Sequence, residues 1–588
     1  MKKYIIIGIS LATALFTLAS CNQGLLDIPK KGVVAYESFY DGSPESAESA
    51  VLNAYQAGIK CINLGAPFSP HVIAPAFFVL SNAPSDDSYY GSGGEGDHVF
   101  GLEINEYRNS FGPNSDVITT QYKGFYQFIY ACNLVIDNFD PAAGGTIAKN
   151  VAEARVLRAF AHLQLAIYWG NPPKVDQILP ADARPVNCDH AELLAWVAKE
   201  CEEAAAALPS RSGKTDKNMA VRLTKEAALA FAGKALVYAG KYAEAKTDLK
   251  KVMDSGNYDL VPGEDMWNMF HRAGDGSPEK VFEFNYVDNV NLSGLGGFRH
   301  FQRSQSCFWR DLRKLPMPFF QLNNAWGGGG NPSESFVNAI MLNEPNSFRR
   351  KAWLISYKEL LTDYEYLLDE EDTVWEGVTY HVKADKDMTE AEKLLDPRRG
   401  LTASAYFGNV GWFLKKYAPL ETELNLNSKD GNDMNTVIMR YAEVLLLYAE
   451  ACAQLGENGG DGLAALNKVA SRAGAPTYAT LTLDNVKKEK RFEMFMEGVR
   501  FADLVRWGDA ATVLKDQYKE IPSFKDPFNA ATGTPHSAVV FISDTREAGD
   551  YGFVKGKNEL MPYPLGELQL NAYNEETGEG IQQNPGWN

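Results

Sequence analysis

The chain has 588 residues, with 57 Lys and Arg against 75 Asp and Glu, for a formal net charge of −18. That acidic excess excludes nucleic-acid binding and docking on anionic lipid, both of which need basic patches, and leaves neutral ligands open. Aromatic residues make up 12% of the sequence, with tryptophans spread throughout; they can fill a core or form platforms for flat ligands.

The N-terminus reads as a secretory signal. Lys2 and Lys3 form a basic start, Ile5 to Leu18 an apolar run, and Leu18-Ala19-Ser20 places small residues before Cys21. The run is too short for a comfortable membrane span. Leu-Ala-Ser-Cys resembles a bacterial lipobox, in which the Cys21 thiol is acylated and Cys21 becomes the mature N-terminus; the alternative is an ordinary signal peptide with a cysteine at its cleavage site. Acyl chains anchor firmly without a spanning helix. The mature chain is therefore expected to run from Cys21 to Asn588, tethered by lipid and otherwise soluble.

Cys61, Cys132, Cys188, Cys201, Cys307 and Cys452 show no metal spacing. Cys132 and Cys452 sit in apolar helical patterns and read as buried thiols, and a Cys188 to Cys201 bridge stays open. The eight histidines are scattered without a metal-binding motif.

By length alone three or four domains are expected, unless helical repeats extend one unit. Between Ser81 and Pro113 the sequence reads as a long irregular loop rich in Gly, Ser and Asp. Within it Asp86 and Asp87 form a carboxylate pair beside Tyr89 and Tyr90, placed to accept hydrogen bonds from hydroxyl groups; plain turn residues are the alternative. Gly91, Gly93 and Gly96 match G-x-G-x-x-G, but no strand precedes them and no helix follows, so no dinucleotide site is expected.

Two helical pairs follow. The first is "AEARVLRAFAHLQLAIYWG" with "HAELLAWVAKECEEAAAALP". The second lies within "KEAALAFAGKALVYAGKYAEAKTDLKKVMDSGNY", where Ala228, Ala232 and Ala235 permit close contact and Gly240 to Ala245 resembles the turn of a tetratricopeptide repeat. From about residue 258 to 435 the period fades and Gly, Pro, Asn and aromatics dominate, so loops and short strands are expected. "NLNSKDGND" in this stretch lacks the glycine and closing glutamate of an EF-hand. A third pair, "VIMRYAEVLLLYAEACAQLG" and "LAALNKVASRAG", is predicted after it, the first helix nearly buried all round and the second stopped by Gly474 and Pro476. The fold expected is mainly α, a tetratricopeptide-like helical scaffold with loop-rich insertions containing short strands.

No serine-nucleophile motif is present, and 75 acidic residues make any acid pair uninformative. In "EKRFEMFMEGVRFADLVRWGDA" the residues Phe492, Phe495, Met496, Val499 and Ala502 mark one apolar helical face, with Glu497 placed to pair with Arg500 and Asp503 with Arg506. Together with "RYAEVLLLYAEA", "LNKVASRAG", "LMPYPLGELQLN" and "IQQNPGW", this segment resembles the SusD/RagB family of Bacteroidetes nutrient-binding lipoproteins. The likeness extends to the lipobox, "LLDIPKKG", Ser85-Asp86, "YQFIYACN" ending at Asn133, "AEARVLRAFAHLQLAIYWGNPP" and "DPRR" at Asp396 to Arg399, and so to nearly the whole chain. It departs at Lys490-Arg491-Phe492 and Met494-Phe495-Met496, where core-type residues are exchanged.

The resemblance implies a signal peptide at 1–20 and a SusD-like unit at 21–588, divided into an N-terminal part at about 21–257, an insertion at about 258–435 and a C-terminal part at about 436–588. It further implies a non-catalytic lipoprotein of the outer membrane, exposed at the cell surface, that binds oligosaccharide. The protein would act as the lid of a SusC-type TonB-dependent transporter, without a cofactor. A polysaccharide-degrading enzyme and a purely structural partner of the transporter are the competing functions. Sugars offer flat C–H faces to aromatic rings and hydroxyls to polar groups. The expected glycan contacts are therefore Asp86, Asp87, Tyr89 and Tyr90 in the first irregular insertion, and Phe298, His300, Trp309, Arg310 and Trp326 in the second, with Trp309 and Trp326 foremost. Core packing is the alternative for each.

Overall fold

A computed structural model describes residues 39–587 apart from 64–75, 91–95, 97–98, 218–220, 287–329 and several stretches within 357–433 and 516–549. The expected helical pairs are present. In chain order the N-terminal helices are α1 (Pro44–Asn63), α2 (Ala76–Asn82), α3 (Val99–Asn105), α4 (Asp116–Asn138), α5 (Gly145–Trp169), α6 (His190–Ala204), α7 (Lys225–Tyr238) and α8 (Tyr242–Asp254). The molecule is mainly α, and α1 and α4 to α8 pack successively around one large apolar core.

Local chemistry sets these elements. The Thr224 hydroxyl caps α7 by accepting from the Ala227 N–H at 3.1 Å, and Gly240 at φ +70 reverses the chain towards α8. Gly233 lets α8 approach: a Cβ there would lie 2.5 Å from Leu249 Cγ. Cys132 and Cys452 are buried thiols, and Cys188 and Cys201 are free, so no bridge joins them.

The region read as loops and short strands contains α9 (Glu334–Asn343) and α10 (Phe348–Trp353) as well. Both start at a serine cap. Ser333 accepts from the Phe336 N–H at 3.1 Å and Ser347 from the Arg350 N–H at 3.0 Å. Each helix is too short for periodicity to reveal. The irregular reading of Ser81 to Pro113 likewise missed α3.

Strands are few and short: β1 (Ser88–Tyr89), β2 (Lys280–Phe284), β3 (Asn331–Pro332), β4 (Leu354–Ser356), β5 (Glu371–Trp375), β6 (Val378–Val382), β7 (Tyr406–Phe407), β8 (Trp412–Leu414), β9 (Thr436–Arg440), β10 (Glu520–Phe524), β11 (Phe528–Asn529), β12 (Thr534–Pro535) and β13 (Val539–Ser543). β1 pairs with β3, β2 with β9, β4 with β8 and β5 with β6; β10 lies between β7 and β13, and β11 pairs with β12. The residues Val437 to Arg440, predicted as the start of a helix, belong to β9 because their backbone groups pair with β2.

The remaining helices of six residues or more are α11 (Tyr441–Gln454), α12 (Gly460–Arg472), α13 (Leu483–Glu493), α14 (Arg500–Arg506) and α15 (Leu565–Leu570). α11 packs on α8 and α7 although a long stretch of sequence separates them. A buried Lys234–Glu443 ion pair of 2.8 Å ties α7 to α11. The segment from Glu489 to Ala510 is not one helix. Met496 at φ +59 and Gly498 at φ +75 break it between α13 and α14, which puts Phe495 stacked on Phe336 with ring centroids 3.8 Å apart in a second, smaller core. No helix among the described residues is long and apolar enough to cross a membrane.

Candidate functional site

Asp86 and Asp87 occupy the turn between α2 and β1, where the polypeptide would expose them if nothing covered it. The C-terminal part of the chain covers it. Arg500, the first residue of α14, donates from Nε to Asp86 Oδ1 at 2.7 Å and from Nη2 to Oδ2 at 3.0 Å. Arg491, in the last turn of α13, reaches Asp87 Oδ1 at 2.7 Å and Asp86 Oδ2 at 2.9 Å. Burial pushes the Asp86 carboxyl up, but Arg491 and Arg500 outweigh it and hold it below the ordinary carboxylate range. The pair is arranged to hold the chain, because its guanidinium partners stay protonated and cannot relay a proton.

Tyr89 and Tyr90 are each only 1% exposed. The Tyr89 hydroxyl donates to Glu106 Oε1 at 2.5 Å, and its ring lies over Gly408, where a Cβ would come within 2.2 Å of Cδ1. The Tyr90 ring packs on Gly101 in the same manner, at 2.4 Å. These findings correct the expectation that Asp86, Asp87, Tyr89 and Tyr90 contact a glycan. Neither ring has a free face and both carboxylates are engaged by arginines.

The four residues sit at a junction. β1 and β3 pair with Ser88 opposite Pro332 and Tyr89 opposite Asn331. Ser333 donates from its N–H to Asp87 O at 3.0 Å and from its hydroxyl to Asp86 O at 2.5 Å, while Asn409 Nδ2 donates to Asn331 Oδ1 at 3.0 Å. Tyr90 and Gly330 thus leave one short ladder toward the two irregular insertions. Phe298, His300, Trp309, Arg310 and Trp326 lie outside the described residues, as does Cys21.

Helix α13, which sends Arg491 to this junction, also carries part of a cluster of buried charges. Arg440, 0% exposed, contacts Glu279 Oε1 at 2.7 Å, Glu493 Oε1 at 2.6 Å and Glu497 Oε1 at 2.7 Å. Arg472 reaches Glu279 at 2.6 Å and also bonds Glu493. Arg349 holds Glu344 at 2.6 Å, Glu489, and Glu493 at 3.2 Å. Lys416 meets Glu497 at 2.6 Å with its ammonium 4.0 Å from the Trp353 ring centroid. Burial raises the Glu493 carboxyl, but Arg472, Arg440 and Arg349 together overcome this and hold it at about 2. Burial also pushes Lys416 down to about 8 in spite of Glu497.

The expected Glu497–Arg500 pair does not form, because the break at Met496 and Gly498 sends the two side chains to different partners. Asp503 and Arg506 do pair, at 2.7 Å. Sequence reasoning missed the Arg440 and Arg349 clusters entirely. The available signal was the density of charge within apolar helical faces, at Glu489, Lys490, Arg491 and Glu493.

Among the described residues no group of His, Cys, Asp and Glu is placed to hold a metal. The sequence matches two family models: the SusD family over residues 344–587, and a family described as starch-binding associating with outer membrane over residues 96–237. Together the two matches cover more than half of the chain. The chain belongs to the SusD/RagB family. SusD-like protein P38 of Formosa agariphila is 22% identical over 550 residues, covering 87% of this chain and 94% of that protein. Surface glycan-binding protein A from Bacteroides fluxus shares the fold with a TM-score of 0.65 at 21% identity, over 93% of this chain and 100% of that one. The same is true of surface glycan-binding protein A from Bacteroides thetaiotaomicron in complex with laminarihexaose, with a TM-score of 0.63 at 20% identity over 92% and 99% of the two chains. Within the SusD/RagB family match, the segment from α10 to Trp587 carries Arg440, Arg472, Glu493 and Glu497, the residues that build the buried charge cluster.

Proposed function

We propose that this SusD/RagB protein is a non-catalytic, surface-exposed lipoprotein of the outer membrane that captures oligosaccharide and passes it to a SusC-type TonB-dependent transporter, for which it serves as a lid. Residues 1–20 are its signal peptide and 21–588 form one SusD-like unit. Family membership supports this reading, and a structural neighbour that binds laminarihexaose supports oligosaccharide as the ligand class. The observation that carries the site is the β1–β3 ladder: it fixes the flanks of both irregular insertions side by side, next to the buried Asp86 and Asp87 ion pairs, which is how a rigid support presents variable binding residues.

The glycan contacts are assigned to Trp309 and Trp326, with Phe298, His300 and Arg310 beside them. A glycan array on the protein lacking residues 1–21 identifies the ligand, and calorimetry measures it. Trp309→Ala or Trp326→Ala is expected to cost at least about 2 kcal/mol of binding, roughly thirtyfold in affinity. Wild-type affinity in both variants, with the fold intact by circular dichroism, would overturn the assignment.

Anchoring has its own check. Cys21→Ser is expected to abolish labelling with a radioactive fatty acid and to release the protein from the membrane fraction, whereas purification of the native form in mild detergent should bring down a large β-barrel in near-equal amount. Labelling that persists in Cys21→Ser defeats the lipobox reading.

A further inference from the structure

Helix α4 carries Tyr122, Tyr126 and Tyr130 one turn apart, and they floor a surface groove of about 680 Å³. Its walls are the connection between α5 and α6, with Pro173 and Leu179, and helix α15, with Glu567 and Leu570. Tyr130 is 53% and Leu570 78% exposed. Apolar residues left bare along a groove mark a docking surface rather than a solvated face.

Two polar groups in the groove are incompletely matched. The Tyr126 hydroxyl is committed to Pro173 O at 2.9 Å, while the Tyr122 hydroxyl beside it is buried without a well-formed hydrogen bond. Glu567 has no Lys or Arg partner among the described residues, and burial alone raises its carboxyl above the ordinary range. An occupant that brings aliphatic side chains and a cation would satisfy both the walls and the carboxylate.

The described chain begins close by. Tyr40 packs on Phe139, ring centroids 6.0 Å apart, at the C-terminal end of α4. Tyr130 lies nine residues back along the helix from Phe139, about 14 Å at the α-helical rise. The segment before Phe39 carries Leu25, Leu26, Ile28 and Pro29 followed by Lys30 and Lys31, and the span from Leu25 to Phe39 reaches up to about 46 Å when extended. Gln127, Gln177 and the tyrosines could also serve a sugar, but a sugar brings no cation to Glu567.

We propose that the groove over Tyr126, Tyr130 and Leu570 seats the protein's own N-terminal tether, residues 22–38, with Leu25 to Pro29 against the tyrosines and a lysine of Lys30-Lys31 at Glu567. The seated tether holds the anchored end against the body. Unseated, the chain from Cys21 to Phe39 extends up to about 60 Å, so seating sets how far a tethered protein swings from the membrane. The contact does not depend on the glycan reading.

The test uses the soluble Cys21→Ser chain. A carbodiimide, which joins an amine directly to a carboxylate, is expected to cross-link Lys30 or Lys31 to Glu567 within one molecule, and Glu567→Gln to remove that product. Amides of residues 25–32 are expected to exchange at least tenfold more slowly than a free peptide of the same sequence, and Tyr130→Ser/Leu570→Ser to erase the difference. The cross-link in the unsubstituted chain reads the contact even if that double variant folds poorly. Free-peptide exchange rates, or a cross-link found only between molecules in an isotope-mixed sample, overturn the proposal; the second would give the groove to another copy of the chain. Slowed exchange at Tyr126 and Tyr130 on adding the array-identified glycan, with the tether free, would give it to sugar and overturn it equally.

Discussion

Arg440→Ala is expected to lower stability by at least about 3–5 kcal/mol, because removing one partner of a buried ion pair leaves the others charged and dry. Arg440 is fully buried and donates to Glu279, Glu493 and Glu497 together, so its loss strips one cation from three carboxylates at once. Glu497→Ala belongs to the same range, since it leaves Lys416 and part of Arg440 unmatched. The double variant should cost clearly less than the sum of the two, as each substitution removes a charge that the other leaves bare. Urea unfolding of the soluble form measures all three. Costs below about 1 kcal/mol, the range of exposed pairs, would mean that the cluster is solvated.

Acid should expose the same network. Glu493 is held at about 2, below its ordinary value of 4.5. A carboxyl with a depressed folded-state pKa stabilises fully above its unfolded value and loses that contribution as pH falls through the folded one. Stability is therefore expected to decline between about pH 4.5 and pH 2. Arg440→Ala, which removes one of the charges holding Glu493 down, should bring its folded value closer to 4.5 and so shrink that acid-dependent loss.

The second large effect is expected at the junction beneath the insertions. Asp86→Ala leaves Arg500 with only Asp87, 3.9 Å away, and removes one of the two carboxylates that Arg491 holds. The predicted cost is about 3 kcal/mol, at the low end of the range for broken buried pairs, because Arg500 retains some access to water. The β1–β3 ladder rests on this turn through the Ser333 hydrogen bonds to Asp86 O and Asp87 O, so glycan affinity should fall as well although Asp86 is itself buried. Asp86→Asn, which keeps the shape and loses the charge, should recover part of the affinity. A variant with lowered stability and wild-type glycan affinity would separate the turn from the binding site.

Much of this architecture was legible from local pattern. The helical pairs followed from 3.6-residue periodicity, which each segment carries by itself, and so did the burial of Cys132 and Cys452. The ordered motifs of the C-terminal third carry the family resemblance by themselves. A pair of short helices, α9 and α10, escaped because each offers fewer than three turns, and their serine caps at Ser333 and Ser347 resemble the many serines of ordinary loops. The first residues of "VIMRYAEV" were read as helix because their apolar spacing suits a helix and a paired strand alike, and only the partner strand β2 distinguishes the two.

Which charges ended up inside was decided by tertiary structure alone. The sequence determined where the long helices form and that carboxylates outnumber cations by 18. It contained nothing to separate Glu497, which pairs with Arg440 and Lys416, from any other acid three residues before an arginine, and nothing to show that Asp86 and Asp87 meet Arg491 and Arg500 some four hundred positions later. Tyr89 and Tyr90 looked like surface platforms because their neighbours in sequence are polar and glycine-rich. They are core because their neighbours in space are Gly101, Gly408 and Glu106. Burial makes an ion pair strong or an unpaired charge costly, and burial depends on what packs over a residue, information that no local window of the chain contains.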